Sequence, residues 1–457
     1  MASLSSHTSM SFQVKRCEPE LVVPAKPTPR EVKKLSDIDN QQALRFQLPG
    51  ITFYKNNPNP SMEGKDPAKV IREALGRALV YYYPLAGRLF EDCNNNNVLM
   101  VDCNGQGALF IEADADVEFD QLDHPIQPPF PFLDEVLYNA PGSDGILGCP
   151  LLLIQVTRLK CGGFIFAIRM NHTMCDGFGL HQFLKALIEL AQGAEEPSVP
   201  PVWRRELLNA RNPPRITCKH KEFQEEMTNY NDELNNLVQT THMIQCSFFF
   251  SHSKIMTIRK HLPPHLATCS RFELLAACAW RCRTLALNLD PEEVIQISCV
   301  FNARANNIGL NLPLGYYGNV IAGPCTLTNA GVLCKNPIGY AVELVKKVKS
   351  EMSAEYIRSA ADFIASRGRP PCKIKGNFVV SDITNAPFQE IDFGWGCPDY
   401  IGVAVSFPLF SFFVKCVNNG EAGTLLLTSL PLLAVERFQQ ELKKLTEGPI
   451  QNIKSML

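Results

Sequence analysis

Apolar residues recur every three to four positions in several stretches of the chain, and this spacing predicts amphipathic helices. In the first stretch the apolar positions begin just after Asp66, with Pro67 in the first turn, where proline is favoured. A later stretch is preceded by Ser270 and Glu273 at capping-box spacing. The predicted helices are Asp66 to Pro84, the residues between Gly179 and Gly193, and Ser270 to about Cys282.

Other stretches are almost continuously apolar and rich in β-branched and aromatic residues, which predicts buried strands. The two strongest are LLLIQVTRL at 151–159 and FIFAIRM at 164–170, joined by the turn sequence KCGG. Shorter strands are predicted in FQVKRC near the N-terminus, around Ile51 to Tyr54, and on both sides of the asparagine run at 94–97, which suits a hairpin turn. Strands alternating with helices in both halves predict an α/β protein with a mixed sheet in each half.

A shift in composition interrupts this pattern in the middle of the chain. Residues 194–215, AEEPSVPPVWRRELLNARNPPR, are rich in proline and arginine and lack periodic apolar positions. Such a segment is typical of a connection between domains. The predicted organisation is an N-terminal domain at 1–193, a crossover loop at 194–220 and a C-terminal domain at 221–457.

Composition and charge narrow the class of protein. The 457 residues include 44 basic and 46 acidic side chains, a formal net charge of -2, so we expect no nucleic-acid partner. No apolar run approaches the roughly 20 residues that cross a bilayer, and the N-terminus lacks the apolar core of a signal peptide. We therefore expect a cytoplasmic protein without a membrane partner, although the final Ser455-Met456-Leu457 loosely resembles a peroxisomal signal.

The 17 cysteines fall singly at irregular spacing, as expected of buried thiols in a reducing compartment. The sequence has no C-x-x-C pair and no H-E-x-x-H, and its histidines show no ligand spacing. We therefore expect no metal site.

Candidate chemistry begins at RMNHTMCDGFGL, residues 169–180, where a strongly apolar strand gives way to a loop. His172 and Asp176 stand four residues apart, and Gly177 and Gly179 follow, which lets the backbone turn sharply and approach a ligand closely. A histidine has an ordinary pKa of about 6.5, which suits it to accept and return a proton near neutral pH. A polar pair of this kind at a strand end also has a purely structural interpretation.

The second candidate stretch is IDFGWG at 391–396. It is either a glycine turn around a packed tryptophan, or a tight interface loop in which the indole N–H of Trp395 reaches a substrate oxygen.

The two motifs HTMCDG and DFGWG, about 220 residues apart, together resemble the signature of the BAHD acyltransferases, the plant acyl-CoA-dependent transferases. Further stretches fit that family in its order along the chain: YPLAGRL at 83–89, NAR at 302–304, YYGN at 316–319 and VSD at 380–382. Within the family, LSDID, QPPFP and RRELLNARNPP are most similar to the benzyl alcohol O-benzoyltransferase group.

The resemblance implies two chloramphenicol-acetyltransferase-like domains joined by a long crossover loop, with a channel between them and the histidine midway along it. It implies an enzyme that moves an aromatic acyl group, benzoyl above all, from acyl-CoA to a small alcohol such as benzyl alcohol. Acyl-CoA is a co-substrate, no cofactor is permanently bound, and a monomer is expected. Alternative acceptors are alkaloid or terpenoid ring alcohols.

Two other interpretations stay open. One is an inactive acyl-CoA-binding protein. The other is a carrier-protein-dependent condensing domain, whose motif carries a second histidine where this chain has Asn171, and the chain has no room for a carrier domain.

The chemistry and the resemblance together give each candidate residue a role. His172 is the predicted general base, and Trp395 with Gly394 is expected to donate to the oxyanion or to support its loop. Asp176 either orients His172 or, as the family implies, pairs with Arg304 next to Gly177. Asp392 is expected to act as a second proton acceptor or to support its loop. Ser381, Asp382 and Asn319 are expected on the CoA side of the channel. Cys175 could be imagined as a nucleophile, but we disfavour that role, because nothing nearby except His172 would activate it.

This chain departs from its relatives near the expected channel. Phe178 and His181 are bulkier than the usual residues, and Gly402 is the only glycine of CPDYIGVAVSFPLFSFF, residues 397–413, where relatives carry a glycine-rich segment. These differences bear on the identity of the acceptor more than on the reaction.

Overall fold

The structure is a computed structural model that describes residues 12–93, 98–223, 242–304 and 308–447. The predicted hairpin turn at 94–97 and the C-terminal tripeptide at 455–457 lie outside these ranges. In chain order the strands are β1 (Val14–Arg16), β2 (Glu20–Val22), β3 (Val32–Lys34), β4 (Gln47–Tyr54), β5 (Arg88–Asp92), β6 (Val98–Asp102), β7 (Ala108–Ala115), β8 (Leu152–Arg158), β9 (Phe164–Asn171), β10 (Met243–Ser251), β11 (Val294–Asn302), β12 (Ile321–Ala322), β13 (Cys325–Asn329), β14 (Asn377–Asp382), β15 (Tyr400–Val403), β16 (Phe410–Asn418) and β17 (Glu421–Pro431). The helices are α1 (Pro67–Tyr81), α2 (Leu133–Val136), α3 (Gly177–Ala191), α4 (His252–Arg259), α5 (Arg271–Leu287), α6 (Ala330–Lys335), α7 (Ile338–Ser350), α8 (Ala354–Arg367) and α9 (Leu432–Thr446).

The first sheet has the strand order β1-β7-β8-β9-β4-β15, with β2 also paired to β7. β7 and β8 are parallel, whereas β8 with β9, and β9 with β4, are antiparallel. The antiparallel pair of β8 and β9 confirms the pair of apolar strands predicted at 151–159 and 164–170. Because both strands are central in the sheet, nearly all of their side chains are buried, which explains why their sequences are continuously apolar.

The second sheet has the order β10-β17-β16-β14-β11-β12, with β13 also paired to β11. β14 is parallel to both of its neighbours, and the outer pairs are antiparallel. A smaller sheet of β3, β6 and β5 lies in the first half of the chain. Two mixed sheets with flanking helices confirm the predicted α/β class.

Each large sheet has its own apolar core. On the first sheet, α1 and α3 pack together over β8 and β9, and their apolar faces form one buried cluster with these strands. On the second sheet, α5, α7 and α9 cover β11 and β17 in the same way. The two cores leave a seam between the sheets, at the ends of β9, β11 and β14.

Sheet membership does not follow chain order at one point. β15, from the second half of the chain, pairs antiparallel with β4 and completes the edge of the first sheet. A segment of the predicted C-terminal domain therefore belongs structurally with the N-terminal one, and the division at residues 193 and 220 stays a prediction.

Local capping explains where the predicted helices begin. The carboxylate of Asp66 accepts the Ala68 N–H ahead of α1, and Ser270 and Glu273 form a reciprocal capping box at the start of α5, so both predicted starts are confirmed. The ends were less well predicted. α1 ends at Tyr81 ahead of a short 3-10 turn, and α5 continues to Leu287.

The predicted start of α3 after Gly179, at Leu180, is wrong by three residues. The helix begins at Gly177, because the Asp176 side chain caps it by accepting the N–H groups of Phe178 and Gly179. The glycines therefore lie in the first helical turn. A Cβ on Gly179 would lie 2.1 Å from the carbonyl oxygen of Tyr317, so this glycine allows two protein segments to touch.

Candidate active site at the junction of two cavities

His172 is the first residue after β9, in a turn that its neighbour Asn171 stabilises. The Asn171 side-chain oxygen accepts both the N–H and the hydroxyl of Thr173, at 3.2 and 2.8 Å. The His172 N–H donates to the carbonyl oxygen of Phe46 at 2.9 Å, and the two rings lie with centroids 5.0 Å apart. The histidine is therefore fixed by its backbone and by one face of its ring.

Two cavities meet at this ring. The larger cavity, of about 110 Å³, extends between β4, the start of α3 and the loop after β14. The smaller cavity, of about 90 Å³, extends between residues 41–46, the residues around Phe223 and the inner strands of the second sheet. The residues that line both cavities are His172, Val300, Ile321, Ser381 and Phe412. The imidazole therefore stands where molecules entering from two sides would meet.

Asn319 determines which ring nitrogen of His172 is free. Its amide nitrogen donates to the carboxylate of Asp39 at 2.8 Å and to the carbonyl oxygens of His172 and Thr173 at 2.9 and 3.2 Å. The amide oxygen therefore faces the Nδ1 of His172, at 3.2 Å, and accepts its proton. The opposite amide orientation would place that oxygen against the Asp39 carboxylate. In the neutral ring, Nδ1 carries the hydrogen and Nε2 keeps its lone pair.

A buried ion pair holds Asn319. Both Asp39 oxygens lie 2.9 Å from Nη1 of Arg205, and each of these two side chains is almost completely buried. Asp39 also accepts the backbone N–H of Asn319 at 2.9 Å, and Arg205 donates to the carbonyl oxygen of Met174 at 2.6 Å. The chain of contacts runs from Arg205 through Asp39 and Asn319 to the imidazole.

Burial lowers the pKa of His172 below its ordinary value, and the bond to Asn319 and the nearby carboxylates oppose that shift only in part. The ring is therefore neutral at pH 7, which is the form that accepts a proton.

Asp176 is fully occupied by other groups. One carboxylate oxygen accepts the two N–H groups at the start of α3, and the other accepts Nη1 of Arg304 at 2.6 Å and the N–H of Val320 at 2.9 Å. Burial alone would raise the pKa of Asp176, but Arg304 and these N–H groups hold it below its usual range. The carboxylate is thus ionised and bonded away from His172, while Gly177 lies beside it in the larger cavity.

The tryptophan loop lies against the first core. The Asp392 carboxylate accepts the N–H groups of Gly394 and Gly396 at 2.7 and 2.9 Å, and Gly394 adopts a φ of 103°, which favours glycine. The Trp395 ring is 3% exposed and packs edge-on against Phe164 at 5.5 Å. Neither Asp392, Gly394 nor Trp395 is among the described residues that line the two cavities.

Ser381 and Asp382 lie at the end of β14, on the wall of the larger cavity. Asp382 accepts the N–H and hydroxyl of Thr384, at 2.9 and 2.5 Å, and so shapes the turn. Ser381 is different, because it lines both cavities and its hydroxyl forms no hydrogen bond with any described residue.

Cys175 is buried in the core under α3, and burial raises the pKa of its thiol well above the ordinary value. A protonated, enclosed thiol is a poor nucleophile.

Sequence reasoning did not find Asp39, Arg205 or Phe46 as residues of this site. The stretches LSDID and RRELL, which contain the two charged residues, entered only as parts of a resemblance. No local signal marked Asp39, because it stands in the polar stretch KKLSDIDNQQ at 33–42, and its burial becomes visible only in the folded chain. The sequence does not show that the partner of Asp39 is Arg205, which lies 166 residues further along the chain.

The chain matches the model of the family described as Transferase family over residues 12–445. It is 54% identical over 444 residues to the protein named Alcohol acyl transferase 1 allele GSa of Malus domestica, over 97% of this chain and 96% of that protein.

Two solved structures are similar in fold. The crystal structure of vinorine synthase has a TM-score of 0.71 at 20% identity, over 95% of this chain and 98% of that one. TRI101 of F. sporotrichioides, complexed with coenzyme A and T-2, has a TM-score of 0.69 at 15% identity, over 90% and 97%. The predicted pair of chloramphenicol-acetyltransferase-like domains is confirmed by these matches. Among the described residues, no helix is both long and apolar enough to cross a membrane.

Proposed function

This chain belongs to the BAHD acyltransferases of the Transferase family and is an acyl-CoA:alcohol O-acyltransferase, and on that premise we propose that His172 is its general base. The observation that carries the proposal is the neutral imidazole at the junction of two cavities, with Nδ1 bonded to Asn319 and Nε2 bonded to no described residue. A lone pair fixed in this way is what the removal of an alcohol proton requires.

The proposed transfer is direct. Nε2 of His172 takes the hydroxyl proton as the alcohol oxygen attacks the thioester carbonyl of acyl-CoA, forming a tetrahedral oxyanion. The oxyanion collapses, the carbon–sulfur bond breaks, and CoA leaves as a thiolate. A thiol pKa of roughly 8.5 makes it a good leaving group, and the proton on His172 neutralises it. The buried, protonated state of Cys175 supports a route without an acyl-enzyme.

For the oxyanion donor we propose Ser381 in place of Trp395. The Ser381 hydroxyl has no other hydrogen bond among the described residues and stands beside His172 in both cavities. Removing one oxyanion donor reduces kcat by about 10²–10³. Ser381→Ala is expected to lose this much, whereas Trp395→Phe, which keeps an aromatic ring in the core, is expected to keep kcat within about threefold. The reverse result would restore the indole as donor.

We propose that the larger cavity takes the acyl thioester and the smaller cavity the alcohol. The larger cavity includes Ser381 and Asp382, the residues for which the family resemblance implies a CoA-side position. Its wall carries Phe166, Phe178 and Phe388, and such rings suit an aromatic acyl group. The smaller cavity suits a compact alcohol.

The proposed substrates are benzoyl-CoA and a small alcohol such as benzyl alcohol, which would group this chain with the benzyl alcohol O-benzoyltransferases. An alkaloid or terpenoid ring alcohol is the alternative acceptor; Phe178 and Gly402 both line the larger cavity, so this alternative requires the acceptor to bind there in place of the acyl group. We further propose that the protein is cytoplasmic and that it is a monomer. Size-exclusion chromatography with light scattering tests the monomeric state directly.

The deciding experiment is a substrate matrix. Purified protein is incubated with benzoyl-CoA or acetyl-CoA and with benzyl alcohol, hexanol or a cyclic amino alcohol, and free CoA thiol is measured over time. Among acceptors with a single hydroxyl and no other donor group, the proposal expects the highest kcat/KM with benzoyl-CoA and benzyl alcohol. A preference for acetyl-CoA would reject the aromatic donor, and a preference for the cyclic amino alcohol would select the alternative acceptor. Tight acyl-CoA binding without CoA release in any pair would indicate an inactive binding protein.

A further inference from the structure

The smaller cavity has a carboxylate in its wall that the reaction does not use. Glu222 lines this cavity and is 6% exposed. Its Oε2 atom is buried and has no hydrogen-bond partner among the described residues. An unsatisfied acceptor of this kind is unfavourable in a protein interior, so its presence in a ligand cavity needs an explanation.

The other carboxylate oxygen fixes the orientation of the side chain. Oε1 of Glu222 accepts the hydroxyl of Tyr356 at 2.8 Å and lies 2.9 Å from Nδ1 of His220. Nε2 of His220 lies 2.9 Å from the Ser359 hydroxyl, whose oxygen already accepts the N–H groups of Thr217 and Cys218. The Ser359 hydroxyl hydrogen is therefore left to donate to Nε2. The Nδ1–H of His220 donates to Glu222.

The charge of this carboxylate has no cationic partner. In the part of the chain that the structure describes, no lysine or arginine forms an ion pair with Glu222. Around it the cavity wall is mostly apolar, with Leu44, Phe46, Phe223 and Phe410 among its residues. Two donors hold Oε1 in place, and Oε2 is the atom of this cavity-lining residue that has no hydrogen-bond partner among the described residues.

From this geometry we propose that Glu222 is a specificity-determining residue, whose Oε2 accepts a hydrogen bond from a second donor group on the acceptor alcohol. The inference rests on the proposed function, since it takes the smaller cavity as the acceptor's. The enzyme would then select alcohols that carry a further hydroxyl or an ammonium group at the end remote from the reacting oxygen, with an apolar stretch between the two.

The test compares primary alkanols, from butanol to octanol, with α,ω-diols and ω-amino alcohols of matching chain length. For each acceptor kcat/KM is measured at saturating acyl-CoA with wild-type protein, Glu222→Leu and Glu222→Gln. In wild type we expect the diol-to-alkanol ratio to peak at one chain length, set by the distance from His172 to Glu222. Glu222→Leu is expected to lower that ratio about 10-fold to 100-fold, as for a lost hydrogen bond to a charged group, while alkanol turnover stays within about threefold.

Glu222→Gln is the variant expected to fold normally even if Glu222→Leu does not, because its amide oxygen still accepts hydrogen bonds from Tyr356 and His220. It is expected to reduce amino-alcohol turnover most and diol turnover less, since an amide nitrogen repels ammonium but still bonds a hydroxyl. If only diols show the effect, the donor is a hydroxyl; if amino alcohols show it more strongly, the donor is an ammonium.

Glu355→Gln is the matched control, a carboxylate on α8 that bonds the neighbouring Thr217 and Arg211 without lining the cavity. It should leave every ratio unchanged. Equal ratios in wild type and both Glu222 variants would overturn the inference while leaving the proposed function intact. Failure of wild type to turn over any alkanol would instead reject the proposed function.

Discussion

The two motifs that identify this chain, HTMCDG and DFGWG, are used by the folded molecule in opposite ways. In the first, a turn after β9 presents the His172 ring to two cavities. In the second, the carboxylate of Asp392 accepts hydrogen bonds from two backbone N–H groups of its own loop, and the ring of Trp395 is packed in the core. A short motif can therefore mark either a reacting side chain or a tight loop that the fold requires. The polar residues of the motif alone do not distinguish these two roles.

The same contrast recurs within the first motif. His172 has one ring nitrogen without a hydrogen bond to any described residue, whereas Asp176 accepts from the N–H groups that start α3, from Arg304 and from Val320. Both residues line the larger cavity, yet only the histidine keeps a nitrogen for a substrate. The predictions below test this division, in order of expected effect.

Replacing the imidazole should give the largest loss. His172→Ala is expected to reduce kcat/KM by about 10²–10⁴ with little change in melting temperature, because the ring is a proton acceptor and not a packing element. His181→Ala is the matched control, a half-buried histidine on α3 that lies outside both cavities and contacts Phe388. Equal losses in the two variants would remove His172 from the chemistry.

Breaking the Asp176–Arg304 pair should damage stability before chemistry. Asp176→Asn leaves Arg304 without its charge partner, and removal of one member of a buried pair costs about 3–5 kcal/mol; the lower end is expected, since Arg304 is 20% exposed. Urea unfolding measures this loss, and kcat per folded molecule should stay within about tenfold. An unchanged stability with turnover reduced by about four orders of magnitude would show that Asp176 orients His172.

Asn319→Ala tests whether the hydrogen bond from Nδ1 of His172 to Asn319 positions the imidazole. The ring would lose the acceptor for Nδ1–H, and a misplacement of about 1 Å can reduce the rate by about 10²-fold. We expect kcat to fall by that order while KM for acyl-CoA changes little. If KM rises and kcat is kept, Asn319 acts on the CoA side instead, as the resemblance implies.

Two substitutions of Asp392 distinguish a loop-supporting role from the role of a second proton acceptor. Asp392→Asn keeps an oxygen for the N–H groups of Gly394 and Gly396, so a loop-supporting role predicts near-normal activity and melting temperature. Asp392→Ala loses both bonds and should destabilise the protein by about 1–3 kcal/mol. An inactive but stable Asp392→Asn would instead identify a second proton acceptor.

The pH dependence should give the smallest effect. Burial lowers the pKa of His172, so the ring stays neutral and able to accept a proton as the pH falls past 6.5. The acid limb of kcat/KM for an alkanol should therefore lie below that value, and activity should be lost only as the pH falls further. An acid limb above pH 6.5 would contradict the burial of the ring.

Much of the fold was predictable because its signals are local. The capping residues Asp66, Ser270 and Glu273 act on backbone groups two or three residues away, so the starts of α1 and α5 follow from short stretches. The helix ends were predicted poorly, because Asn288 ends α5 by adopting a left-handed conformation that an asparagine permits but does not require. The start of α3 was missed because Gly177 and Gly179 are typical of loops, whereas the cap from Asp176 and contact with Tyr317 hold them in a helix.

The sequence by itself determined the fold class and the strand end that carries His172, since periodicity encodes both locally, whereas the class of reaction followed from the resemblance of its motifs to those of the BAHD acyltransferases. The tertiary structure alone decided which polar residues face the cavities. Asp39 and Asn319 meet across 280 residues, Asp176 and Arg304 across 128, and Tyr356 and Glu222 across 134. Each of these contacts joins segments that are distant in sequence and meet only when the chain is folded, and a buried polar atom acquires its role from the partner that folding provides.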